Sequence, residues 1–479
     1  MANPWYRVLH RFCNGLYFSR ISVLWPERLP RTGPTLYLGL HRNGAVDGFI
    51  YHAILPRANF MISTQLRRHL IGRLFFTGIE VVRDKDEGES GTNIEALNHC
   101  MKLLRTGGAL FVFPEGTSTL GPRHLPFKSG AARILANYLE SGSPIQVVPL
   151  GITYECPCAF RSRVEVVVGA PVATDFSDRL HPLGRLKELK RSIQSALESA
   201  GVNVESEQYQ QMIHRLACVA TLGTKRSYFK TLKALERSIP EKILLDWRAL
   251  RPEIEKRKLW HHQGVPLFPL GPTWRYLLAL GATGPLVGLG ALLNLPPLLG
   301  AWWAGKKFPD GPNVISLWRV LVGAPLFLLW VAVMAMVAIV SGRWPWFGLY
   351  ALATFSGLKL YYRVKKMAVA VHNGLRYPEL RPQVLAFRET VLRETLHEPP
   401  PHPVPLPQWG RGWPGGRLRA RFMVPMRAQK RMEAAHEPGG ARFRRALISL
   451  VGDQGSTESR PTVQGPDARL ETVRTPHED

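Results

Sequence analysis

What the sequence has little of narrows its class before any motif is read. Cysteine is sparse. The five present, Cys13, Cys100, Cys156, Cys158 and Cys218, form no paired framework. Such an odd, scattered set suits a reducing compartment and places the main domain on the cytosolic side. The Cys156-Pro157-Cys158 pair lacks a second pair at zinc-like spacing, so it reads as structural. No metal-ligand cluster and no cofactor are expected. The N-terminus lacks a secretory signal, and no internal repeat is evident. Acidic residues are scarce beside basic ones, 36 against 62, for a formal net charge of +26. A chain so basic seeks polyanions, either nucleic acid or an anionic membrane face. Clear RNA or DNA motifs are missing, and the basic residues flank apolar runs instead of forming one stripe. The expected partner is therefore membrane lipid, with no nucleic acid; the oligomeric state is left undetermined.

Long uncharged runs are what the chain has instead. Residues 276 to 304 carry no charge, and Leu321 to Val340 is an uncharged stretch of about bilayer-crossing length. Trp344 to Leu358 is shorter and bounded by Trp, Lys and Tyr. Arg275, Lys306, Lys307 and Arg319 flank the first two runs, and Arg363, Lys365 and Lys366 follow the third, while only Arg343 lies between the second and third. The positive-inside rule then predicts a cytoplasmic start and finish for the 320–362 hairpin. The first run is broken at Pro285 and Pro296-Pro297. It is expected to be re-entrant or interfacial; the alternative, a full span, would put the C-terminus outside. Residues 1–30 mix Trp5, Val8, Leu9, Phe12 and Leu16 with Arg7, Arg11 and Arg20. That pattern reads as an interfacial amphipathic segment, or as a helix packed on the domain's own core.

Between these parts, residues 31–175 alternate strand and helix signals. Apolar strand candidates fall at 35–40, 58–63, 79–83, 109–113, 145–150 and 163–169, with helices notably at 92–105 and 129–141. The expected fold class is α/β, a mostly parallel sheet with flanking helices. A helical region over 176–270, membrane-embedded segments over 271–366 and a helix over 367–396 come next. Residues 397–479, rich in Pro, Gly and Arg, are expected to be disordered.

Chemistry-bearing residues gather at predicted strand ends. His41 ends the first strand, with Asp47 six residues on beyond an Asn43-Gly44 turn. Arg83 ends "GIEVVRD", Phe113-Pro114-Glu115-Gly116-Thr117 ends a third strand, and Val147-Val148-Pro149 falls in another. Strand ends of open α/β sheets are where such folds bind ligands. No G-x-S-x-G nucleophile elbow is present.

These four blocks, in this order, resemble the glycerolipid acyltransferases of the PlsC-like kind, over roughly residues 30 to 175. "FPEGT" is the most specific piece, and Phe127-Lys128-Ser129-Gly130-Ala131 also fits the family's pattern just beyond it. The family has four residues between His and Asp, whereas "HRNGAVD" has five. Some eukaryotic glycerol-3-phosphate acyltransferases share this longer form, and an extra turn residue at Asn43-Gly44 would restore the contact. The resemblance implies a membrane-bound O-acyltransferase of phospholipid synthesis, its catalytic domain on the cytoplasmic side. Acyl-CoA or acyl carrier protein would donate the acyl group as a thioester. Glycerol-3-phosphate or 1-acyl-glycerol-3-phosphate, a glycerol-phosphate acceptor in either case, would receive it. His41 would be the general base and Asp47 its orienting carboxylate. Arg83 and Lys128 would clamp phosphate, with Glu115, Gly116 and Thr117 at the substrate. The competing expectation is a membrane scaffold or lipid-binding protein that keeps the fold without the activity, which His41→Ala would separate.

Overall fold

The computed structural model describes residues 4–68, 70–82, 91–174 and 181–395; the tail expected to be disordered lies outside them. Seven strands build one sheet: β1 (Arg20–Leu24), β2 (Thr35–Gly39), β3 (Ala58–Ser63), β4 (Ile79–Val81), β5 (Ala109–Val112), β6 (Gln146–Tyr154) and β7 (Arg163–Val168). Their order is β1-β7-β6-β2-β5-β3-β4. Every pairing is parallel except β6 with β7. This is the mostly parallel α/β sheet expected. The central strands are buried along their whole length, as a sheet covered on both faces requires.

One strand departs from the sequence expectation. Arg20–Leu24 forms the sheet edge, within the segment read as interfacial. Its signal is the two-residue alternation of Arg20 and Ser22 with Ile21 and Val23, easily lost beside a helical stretch. The part before it is helix α1 (Pro4–Tyr17), whose Leu9, Cys13 and Tyr17 are buried in the domain core while Trp5 and Val8 face outward.

Strand alternation divides the core between two faces. Tyr37, Phe111 and Val148 point toward α1 and α2 (Val46–Ile54). Leu36, Leu38, Leu110 and Val147 point toward α4 (Gly91–Arg105), α5 (Gly130–Leu139) and α6 (Pro182–Ala200). The short α3 (Leu70–Phe75) precedes β4. Beyond α6 come α7 (Glu207–Thr221), α8 (Tyr228–Leu235), α9 (Glu241–Glu255) and a two-stranded hairpin at 261–266.

Four apolar helices come after the hairpin: α10 (Thr273–Leu293), α11 (Leu295–Lys307), α12 (Ile315–Val340) and α13 (Trp344–Arg376). Two segments, Thr273–Leu293 and Pro312–Val340, are long and apolar enough to cross a membrane, and little of either is buried. The packing shows where the first run goes. Gly374 of α13 lies against Pro269 and Thr273, and Gly290 of α10 lies against Ala353 and Gly357; α10 and α13 are thus antiparallel. Gly323 of α12 meets Ala301, and Gly305 of α11 meets Arg319, so α11 runs antiparallel to α12. The chain therefore reverses at Asn294, with Pro296 and Pro297 in the first turn of α11, where proline is tolerated. The ends Thr273, Lys307, Ile315 and Arg376 share one side. The run thus folds as a helical hairpin, α10 out and α11 back.

The expected boundary at 366 is absent. Helix α13 continues to Arg376, because no proline or glycine interrupts 358–373 and the first proline beyond is Pro378. A final helix, α14 (Arg381–Glu394), packs on α7 and α9.

Candidate active site

His41 follows β2, and the chain then turns through Gly44 into α2. Gly44 has φ +55, a left-handed conformation that a side chain would resist, and a Cβ there would fall 2.9 Å from the Asn313 carbonyl oxygen. This turn absorbs the extra residue of "HRNGAVD". Asp47 lies in the first turn of α2, and its Oδ2 accepts from His41 Nδ1 at 2.9 Å.

Asp47 is fully buried and fully occupied. Oδ2 also accepts the backbone N–H groups of Arg42 at 2.6 Å and Asn43 at 2.8 Å, and Oδ1 accepts the Tyr154 hydroxyl. Burial and the neighbouring Asp47 carboxylate push the Tyr154 hydroxyl well above its ordinary range, so it stays a donor. With Asp47 ionised and accepting, Nδ1 of His41 carries the ring proton and Nε2 presents a lone pair. Nε2 has no partner among the described residues, and the His41 side chain is 14% exposed. Phe113 stacks on the imidazole at a centroid distance of 4.0 Å and 18°. The imidazole is thus held in one tautomer, supported on one face by Phe113 and open at Nε2.

Glu115 lies behind the His41 turn. It is 2% exposed, and its two oxygens accept backbone N–H groups, Oε1 from His41 at 2.8 Å and Oε2 from Leu125 at 3.0 Å. Burial raises its pKa against the lowering effect of those two amides. It ties the His41 turn to the 119–128 loop through both carboxylate oxygens. Gly116, at φ +70, makes the turn after it, with its N–H donating to the Phe113 carbonyl at 3.0 Å. The Lys128 side chain lies over Gly116, while its backbone N–H donates to the Pro114 carbonyl at 2.8 Å. Thr117 is half-exposed beside them. His41, Asp47, Glu115, Gly116, Thr117 and Lys128 therefore converge at the ends of β2 and β5. Arg83 lies outside the described residues.

Several participants carry no sequence signal of their own. Tyr154, at the end of β6, is one. Arg42 donates from Nη2 to the Gly121 carbonyl at 2.7 Å, and burial lowers its pKa while Glu115 and Asp47 oppose that. The start of α12 also enters the site. Asn313 Nδ2 donates to Ser118 Oγ at 2.7 Å and to the Ser118 carbonyl at 3.1 Å. Ser316 Oγ donates to the Pro157 carbonyl at 2.6 Å, whose other donor is Asn43 Nδ2 at 3.2 Å. The apolar helices are thereby pinned to both catalytic loops. Among the described residues, no group of three or more His, Cys, Asp or Glu side chains could hold a metal.

Comparison with known proteins agrees on this region. Residues 20–153 match the family model described as Acyltransferase. A 1-acyl-sn-glycerol-3-phosphate acyltransferase of Chlamydomonas reinhardtii is 25% identical over 153 residues, covering 30% of this chain and 44% of that protein. Glycerol-3-phosphate O-acyltransferase 2 of Saccharomyces cerevisiae is 36% identical over 86 residues, 17% of this chain and 11% of that protein. The chain thus spans less than half the length of these curated relatives. The crystal structure of the 1-acyl-sn-glycerophosphate acyltransferase PlsC from Thermotoga maritima is similar at 17% identity and a TM-score of 0.30, covering 40% of this chain and 78% of that one.

Proposed function

We propose that the chain, whose residues 20–153 match the acyltransferase family model, moves a fatty acyl group from a thioester donor to a glycerol-phosphate acceptor, embedded by its apolar helices with the α/β domain on the cytoplasmic side. The observation that carries this is the His41–Asp47 pair, with Nε2 left open. The attacking hydroxyl gives its proton to His41 Nε2 as it adds to the thioester carbonyl. Asp47 holds the ring and stabilises the imidazolium that forms. When the tetrahedral adduct collapses, the C–S bond breaks and the imidazolium returns the proton to the departing thiolate. No acyl-enzyme is needed, since the thioester is already activated. Lys128 lies over Gly116 and Arg42 adjoins His41; we assign them, with Arg83, to the acceptor phosphate or the donor's phosphates.

The acceptor is glycerol-3-phosphate or its 1-acyl ester. The unusual His–Asp interval leans toward the former and the absence of an arginine run after "FPEGTS" toward the latter. Membranes containing the protein, given labelled acyl-CoA and each acceptor in parallel, decide this. Label in phosphatidate from the lyso acceptor, or in lysophosphatidate from glycerol-3-phosphate, is expected and should fall to background in His41→Ala. Equal label in wild type and His41→Ala, with an acyl-carrier donor also tried, would overturn the proposal.

A further inference from the structure

A cavity of about 430 Å³ lies among the apolar helices, outside the part of the chain that matches the acyltransferase family. Its walls come from α10–α13, one side of α1 and the Ala159–Phe160 turn. The lining is largely apolar. Its polar members are Tyr17, Tyr361, Thr354 and Asn294 and two cations, Arg319 and Lys365; no carboxylate lines it. Both sit at the end nearest the α/β domain, where Arg319 Nη1 donates to the Cys158 carbonyl at 2.5 Å. From Lys365 the cavity follows α13 to Thr354, eleven residues, or roughly 16 Å at the helical rise. There it ends at Asn294, whose amide is occupied by Gly290, Thr354 and Tyr350.

An elongated, largely apolar cavity with positive charge at one end fits one kind of ligand: a single acyl chain carrying an anionic head. The charged end also has a location. Arg319 and Phe160 border it on one side of the Pro157–Phe160 turn, and Asn43, two residues from the base, holds the same turn from the other side. We infer that this cavity binds the acyl chain of a monoacyl glycerol phosphate, with Arg319 and Lys365 receiving its phosphate. The inference rests on the acyl-transfer proposal for the choice of head group, and that lipid is the acceptor in one version of the proposal and the product in the other. Its place beside the catalytic turn favours this lipid over a bulk anionic phospholipid.

The test uses the full chain in phosphatidylcholine nanodiscs without acyl donor, so binding is read apart from turnover. The probe is 1-acyl-glycerol-3-phosphate with a diazirine at the chain end, followed by irradiation and peptide mapping. Label is expected on α11 and α12 near Leu298 and Phe327. The uncharged 1-acyl-glycerol probe should label about tenfold less, as should Lys365→Gln with the charged probe, the loss of one charge-assisted contact. Val287→Trp, which fills the cavity from α10, should abolish label; Lys365 is exposed, so its variant is the safer one for folding. Label confined to other segments, or equal label from the uncharged probe, would overturn the inference. Displacement by phosphatidylglycerol as effective as by unlabelled 1-acyl-glycerol-3-phosphate would reassign the cavity to bulk lipid. Mapped label with no acyl transfer in the separate assay would leave the cavity standing and remove the enzymatic proposal; transfer without label would do the reverse.

Discussion

Two side chains sit at the centres of the two halves of this chain, and they are satisfied in different currencies. Asp47, in the α/β domain, is a charge, and it is met by three N–H donors and a phenol. Asn294, at the reversal between α10 and α11, is a neutral amide that donates to the Gly290 carbonyl and Thr354 and accepts from Tyr350. Neither can reach water, so each must be paired within the protein. On the proposed mechanism, the domain tolerates a buried charge because a carboxylate there makes His41 a base. The helices have no such use, and a neutral network is enough to fix where the chain turns back. Between the two, Glu155 joins the halves. Its carboxylate takes Arg163 in a bidentate pair at 2.7 and 3.2 Å and Lys366 of α13 at 3.1 Å.

Breaking the charged centre should have the largest effect. Asp47→Asn keeps the shape but cannot accept from three N–H groups and hold the imidazolium, so single-turnover acyl transfer should fall about 10²–10⁴-fold. A loss under about tenfold would mean that His41 needs no carboxylate. Next is the joint between the halves. Although burial works against its charge, Arg163 and Lys366 hold the Glu155 carboxyl at about 2. A carboxyl depressed on folding stabilises above its unfolded pKa, and that contribution is lost as pH falls from about 4.5 toward 2. Glu155→Gln should cost about 3 kcal/mol near neutral pH, measured by thermal unfolding in micelles, and should flatten the stability profile across that acid window. An unchanged profile would show that the ion pairs do not survive in solution.

Tyr154→Phe removes one donor to a buried carboxylate and nothing else of size. A loss of about 1.5–3 kcal/mol is expected, seen as roughly a ten- to hundredfold lower kcat with KM little changed. Equal falls in kcat and stability would assign Tyr154 to folding alone. The smallest effect belongs to the neutral centre. Asn294→Ala should destabilise by about 1 kcal/mol, because hydrogen bonds among apolar helices are individually modest. Acyl transfer should fall far less than in Asp47→Asn. Acyl transfer falling as far as in Asp47→Asn would erase the contrast between the two centres.

Much of this is legible in the residues alone. The central strands are short continuous apolar runs, and strand or helix period acts over a handful of residues, so β2 to β7 and the apolar helices are written locally. His41, Glu115, Gly116, Thr117 and Lys128 are likewise marked by their places at strand ends. What stays hidden depends on which segments lie side by side. Tyr154 reaches Asp47 across 107 residues, only because β2 and β6 pair in one register. Glu115 looks like a substrate ligand in sequence, and its backbone partners appear only when the 119–128 loop folds over the His41 turn. The proline pair marks a break after α10 but not its direction; antiparallel packing of α10 on α13 and of α11 on α12 decides that the run turns back. Local propensity is a property of neighbours along the chain, whereas a buried polar group is satisfied by whatever packing brings to it, and that second set of neighbours exists only in the folded protein.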